Sequence, residues 1–205
     1  MRTYLSTRCS SAVKRLALAA VMLAAASPAW SMGQVVVSPT SFYPGYTPTI
    51  LSYAAGHGGI LVQVAGNPFD VPKEDLDGAI ARVMAVSHFG PQVPFVTTRP
   101  EGFVSPYRVI LLFDNQKGYT TVKLCGGDPD AFEPAWDGKL RVHAALCANE
   151  KPLTSVFGDI PGADGPNDPL FQKLIGQITH GLFPPFDPDR QDPSDRLLAP
   201  LGMGD

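Results

Sequence analysis

Residues 107–113, Tyr-Arg-Val-Ile-Leu-Leu-Phe, form an almost unbroken apolar run between Ser105-Pro106 and Asp114-Asn115. Side chains of a strand alternate between two faces, so a run apolar at nearly every position has no face to offer to water. The stretch predicts a central strand covered on both sides. A chain built around it needs neighbouring strands on either flank and further layers to close over them.

The rest of the chain supplies candidates for both. Residues 59–65 (Gly-Ile-Leu-Val-Gln-Val-Ala) read as a strand stopped by Gly66-Asn67-Pro68. Residues 72–88 change to helical period: Leu76, Ile80, Val83 and Met84 share one face, Pro72 suits the first turn, and Glu74 and Asp75 complement the helix dipole. Asp114 to Gly118 has the length of a hairpin loop, which makes residues 119–125 the return strand. Residues 126–138 are turn-rich, and 139–147 alternate as another strand. Asp168-Pro169 opens a second helix with Asp as N-cap, a buried face of Leu170, Phe171, Leu174, Ile175 and Ile178, and Gly181 as C-cap before Pro184-Pro185. Residues 32–58, interrupted by Pro39, Pro44 and Pro48, read as an extended N-terminal segment, and 187–205 as a flexible acidic tail. The expectation is one α+β domain over residues 59–186: a mainly antiparallel sheet of four or more strands with two helices packed on one face.

Residues 1–31 have a different character. Arg2, Arg8, Lys14 and Arg15 precede an apolar run from Leu16 to Ala26. At about eleven residues it is too short to span a bilayer, which takes roughly 20, and it suits the core of a secretory signal peptide. Ala29-Trp30-Ser31 puts small residues at the −3 and −1 positions, so cleavage is expected near Ser31, with Ala29 as the alternative. Cys9 lies ahead of the apolar run, so a soluble periplasmic or secreted product is expected rather than a lipoprotein. The leader holds four of the 16 basic residues and none of the 19 acidic ones, leaving 12 against 19 and a net charge of −7. Such a balance disfavours nucleic acid as a partner, and with the leader gone no stable membrane insertion is expected.

Loss of Cys9 leaves Cys125 and Cys147. In an oxidising compartment the pair most simply forms a disulfide worth about 3 kcal/mol. A reduced buried pair and a redox-active pair are the alternatives, and the spacing is unlike Cys-x-x-Cys. A bridge between the ends of 119–125 and 139–147 is incompatible with a plain antiparallel hairpin, so the two segments should run in the same direction. They would then lie side by side, or 139–147 would pair antiparallel with 107–113 on its other side; the direct neighbour is the easier geometry, because strands flanking a third are about 10 Å apart.

Motifs for chemistry are sparse. His57-Gly58-Gly59 has the composition of an oxyanion-hole loop, but no Gly-x-Ser-x-Gly accompanies it, so a turn is expected. His57, His88, His143 and His180 make no metal-binding spacing; His88 and His180 fall at helix C-termini, where the dipole stabilises an imidazole. Gly126-Gly127-Asp128-Pro129-Asp130 and the tail carboxylates Asp187, Asp189, Asp192 and Asp195 lack a calcium-loop pattern. Asp114 and Asp159 follow apolar stretches without forming an acid–base pair. Phe42, Tyr43, Tyr46 and Tyr53 form either a strap on the sheet or a contact surface. No catalytic, cofactor-binding or metal-ligating residue is assigned, and no cofactor is expected; the site residues are the disulfide pair Cys125 and Cys147.

Gly66-Asn67-Pro68-Phe69, Tyr107 to Phe113, Leu124-Cys125, Ala145-Leu146-Cys147, Leu153 to Gly158 and Leu182-Phe183-Pro184 together resemble a group of small uncharacterised bacterial exported (periplasmic) proteins, over roughly residues 60–185. The resemblance implies a bacterial source and an exported domain, and carries no activity. Two roles remain open. One is a non-catalytic envelope protein binding a protein partner or small ligand. The other is an extracytoplasmic hydrolase whose Ser, His or carboxylate groups come from separate elements.

Overall fold

The computed structural model describes residues 34–113, 119–128 and 139–186. Residues 1–33, 114–118, 129–138 and those from 187 onward, on which the expected leader, hairpin loop, most of the turn-rich stretch and the acidic tail fall, lie outside the described residues. Seven strands form one sheet: β1 (Val36–Val37), β2 (Ser41–Phe42), β3 (Ile60–Ala65), β4 (Phe95–Val96), β5 (Tyr107–Phe113), β6 (Leu140–Ala148) and β7 (Lys151–Ile160). Four helices accompany it: α1 (Ile50–Gly56), α2 (Lys73–Ser87), α3 (Thr121–Gly126) and α4 (Pro169–Leu182). The spatial order is β1-β7-β6-β5-β3-β4, with β2 also on β7. β3 is parallel to β4 and to β5, and every other pairing is antiparallel.

β5 occupies the interior between β3 and β6, which is where an apolar run without a polar face can sit. Val109 to Phe113 are all buried. Alternation divides them. Val109, Leu111 and Phe113 join Val62 and Val64 of β3, Val142 of β6 and Val156 of β7 in one cluster with side chains of α1, α2 and α4. Ile110 and Leu112 point the other way and meet Ala145, Cys147 and, from α3, Leu124 and Cys125. The molecule is thus a mixed α+β structure with a mostly antiparallel sheet.

α4 forms as its sequence indicates. The Asp168 carboxylate accepts from Leu170 N–H at 2.7 Å, and Pro169 occupies the first turn. Phe171, Leu174, Ile175 and Ile178 are buried, each worth roughly 1.5–3 kcal/mol, while Leu170 is only half-buried. Gly181 does not cap the helix, which runs on to Leu182. Its role is close approach: a Cβ there would come 2.7 Å from Val156 Cγ2, and one on Gly158 of β7 would come 2.7 Å from Leu174 Cδ1. Helix and strand each give up a side chain to the other's bulk.

Three elements depart from expectation. The return strand expected over 119–125 is helix α3. The hairpin-length spacing after β5 suggested a strand, but Thr120 caps a helix by accepting from Lys123 N–H at 3.3 Å, and burial of Thr121, Leu124 and Cys125 follows a helical period. Within 32–58, read as extended, Ile50–Gly56 is helical and buries Ile50, Leu51 and Ala54. The longest strand, β7, lay unassigned after Cys147. Its two-residue turn at Asn149-Glu150 uses Asn149 at φ 52°, and Pro152 sits at a register shift near Cys147 that accommodates its missing N–H.

Candidate functional site

Two polar arrangements stand out, one open and one sealed. The open one begins at the glycine turn. α1 ends with His57 N–H and Gly59 N–H both donating to Ala54 C=O, at 3.0 and 2.8 Å. Gly58 and Gly59 have φ of 96° and 104°, and a Cβ on Gly59 would lie 2.2 Å from Pro94 O. The turn thus needs glycine on both counts. With Gly59 N–H spent on the helix end, His57-Gly58-Gly59 is a connector into β3 rather than an oxyanion hole. His57 C=O accepts from Ser105 N–H at 3.0 Å and so fixes the approach to β5. The His57 ring stacks on Tyr53 at 3.8 Å, and Tyr53 meets Tyr107 edge-on at 5.7 Å.

Beside this aromatic group, at the N-terminal ends of β3 and β5, lies an open cavity of about 220 Å³. Leu61, Phe103 and Tyr107 contribute apolar surface, and Arg99, Arg108 and Glu150 contribute charge. Arg108 is the best-anchored of these. Its guanidinium donates to Asn149 C=O (3.2 Å), to Gln63 Oε1 (3.0 Å) and, in a short contact, to Cys125 C=O. All three acceptors are neutral. Burial chiefly, and then the charge of Arg99, lowers the Arg108 pKa, while Glu150 and Asp128 act in the opposite sense. Burial, with Tyr53 second, raises that of Tyr107. Cys125 is disulfide-bonded to Cys147 with Cα atoms 5.7 Å apart, so Arg108 and the disulfide together hold α3 on the sheet.

The sealed arrangement lies on the same face. His143 of β6, Ser155 of β7 and Thr121 of α3 are 0%, 2% and 6% exposed. Thr121 Oγ1 donates to Ser155 Oγ at 3.2 Å, so the 3.3 Å contact with His143 is completed by Nε2–H donating to Thr121. That tautomer leaves Nδ1 a bare acceptor without a partner among the described residues. Phe157 stacks on the imidazole at 4.0 Å. Burial pushes the His143 pKa down to about 4, because protonation would place a charge where no water reaches it.

The remaining sequence candidates serve the fold. His88 caps α2 with its ring nitrogens facing the carbonyls of Met84 (3.2 Å) and Pro91 (2.8 Å). His180, in the last turn of α4, stacks on Phe89 at 4.6 Å. Tyr46 is buried and donates to Pro184 C=O at 2.6 Å, and Phe42 packs on it at 5.8 Å, so these two form a strap, while Tyr53 stays exposed. Asp159 stands opposite Arg141 across β6 and β7, and Asp114 is outside the described residues. Among the described residues no group of three or more His, Cys, Asp or Glu could hold a metal ion, and no helix is long and apolar enough to cross a membrane.

The sequence contained Arg108, Thr121, His143 and Ser155 without marking them as groups. Their spacing along the chain carries no motif, and only the pairings β3–β5–β6–β7 gather them. The one available signal was a polar residue inside an apolar strand, at Arg108 and His143.

No family model matches the chain. It is 32% identical over 108 residues to a homoserine dehydrogenase from Synechocystis sp., across 51% of this chain and 25% of that protein. The chain thus spans about a quarter of the length of this relative. Among solved structures it is similar to two PelC dodecamers from Paraburkholderia phytofirmans. One aligns with TM-score 0.37 and 12% identity over 74% of this chain and 96% of that one. The other aligns with TM-score 0.38 and 16% identity over 74% and 98%.

Proposed function

We propose that the protein is an exported, non-catalytic envelope protein that binds a protein partner or a small ligand. The leader of residues 1–31 supports export to the periplasm or beyond, with cleavage near Ser31, and the acidic balance of the remainder disfavours nucleic acid. One observation carries the binding role: the cavity at Arg108 is open and lined by guanidinium and aromatic groups, whereas the hydroxyl–imidazole set is closed to any substrate. Arginine and tyrosine supply directional hydrogen bonds and apolar area at little entropic cost, which suits recognition.

The alternative, an extracytoplasmic hydrolase, draws on a specific feature of its own: His143 Nε2 lies within reach of the Thr121 hydroxyl, and that hydroxyl reaches Ser155. Hydrolysis of 4-nitrophenyl acetate by the parent and by Thr121→Val and Ser155→Ala separates the two. The binding role expects all three at the buffer rate. Turnover in the parent that disappears in either variant would establish the hydrolase.

A further inference from the structure

We propose that the cavity between β3, β5 and the β6–β7 turn is a binding site for a small monoanionic carboxylate, held by Arg99 and Arg108. This rests on the binding role above and names the chemistry of its ligand. Arg108 is half-buried, and all its hydrogen bonds go to neutral oxygens, so no contacting carboxylate neutralises it. Those bonds use three of the five N–H donors of a guanidinium, leaving two without a partner among the described residues. A second guanidinium, Arg99, lines the same cavity and repels the first. Two like charges facing one concavity are relieved by an anion between them, and a carboxylate is matched to the guanidinium fork.

The lining also sets the ligand's charge. While Asp128 acts on Arg108 from outside the lining, Glu150 at the rim offsets one arginine, so the side chains that line the cavity sum to a single positive charge. A monoanion neutralises it, while a dianion such as phosphate would face Glu150 with charge to spare. The exposed lining is mostly polar, with Leu61, Phe103, Pro106 and Tyr107 adding a smaller apolar share, so the charged group of the ligand rather than its body is what the cavity recognises. The bracing of Arg108 by Gln63, Cys125 and Asn149 fixes its fork in advance, so little order is lost on binding.

Calorimetric titration of the oxidised full chain with sodium benzoate, methyl benzoate and inorganic phosphate tests the site. Benzoate should bind saturably below about 10 mM and methyl benzoate should not. Arg99→Gln, a surface change that leaves the core intact, should weaken benzoate about threefold. Arg108→Gln, with folding checked by circular dichroism, should weaken it about tenfold or more. Equal binding of the ester, tighter binding of phosphate, an unchanged affinity in Arg99→Gln, or no benzoate binding would each overturn the carboxylate site. None of these touches the wider binding role, which stands or falls on ester turnover.

Discussion

His143 is buried with one ring nitrogen unpartnered, and it gives the protein an acid sensitivity that surface carboxylates alone would not. In the unfolded chain a histidine takes its proton near pH 6.5, whereas in the fold His143 resists until about 4. Between those values folding has to expel a proton. The contribution to stability is complete above about pH 6.5, falls as the pH drops through the window, and levels off near 4, a loss of roughly 3 kcal/mol. His143→Gln keeps an amide donor for Thr121 and has nothing to titrate. Urea unfolding at pH 7 and pH 4 should show the parent losing about 3 kcal/mol more than the variant; equal losses would mean that His143 is solvated. The sequence shows a histidine in a strand and nothing more. Its environment comes from Thr121 and Ser155, which lie on other elements, and no spacing rule connects the three. Gly59 is the contrary case. A Gly-Gly pair before an apolar run marks a turn by itself, and the positive φ and the close Pro94 carbonyl give that reading its cause.

α3 shows where local propensity fails. Tyr119 to Val122 is rich in residues that favour strands, yet β5 is already paired with β3 on one side and β6 on the other, which leaves no ladder beside it for a return strand. The Thr120 cap and the Thr121, Leu124 and Cys125 face decide for a helix, and the bond to Cys147 fixes it over β6. The joined cysteines do exclude a plain 119–125/139–147 hairpin, but the side-by-side strand pair that geometry favoured is not found, and β6 pairs antiparallel with β5. What failed was the premise that both segments are strands. α2, α4, β3 and β5 were legible because each has a period, a stop signal and buried residues that agree. β7 was not, because Lys151-Pro152 reads as a break. Since α3 is one and a half turns long, its place depends on the disulfide and on Arg108. A Cys125→Ser, Cys147→Ser double variant should lose about 3 kcal/mol in urea unfolding. Amide exchange over residues 121–126 should accelerate while that of β5 keeps its order of protection. Unchanged exchange in α3 would show that packing alone holds it.

The sheet as a whole ends in short strands on both sides: β4 on one edge, β1 and β2 on the other. β7 is the long strand that would otherwise be bare, and between β1 and β2 the Ser38 side chain continues the ladder by accepting from Phe157 N–H at 3.0 Å. An open edge of that length invites pairing with another copy. Deleting residues 34–42 should therefore raise the mass seen in light scattering after gel filtration, through β7 edges that meet. A truncated protein as stable as the parent and of the same assembly state would remove this role for the N-terminal segment. The same pairing sets an order of events as the chain is made. Val36 and Val37 are among the first described residues to emerge, and their partners, Asp159 and Gly158, come after almost everything else. On the export proposed above, with the N-terminal side leading, both cysteines reach the oxidising compartment ahead of β7. The covalent link can therefore close on a chain whose sheet still lacks its longest strand, and the edge is sealed only afterwards by a segment that arrived ahead of both cysteines.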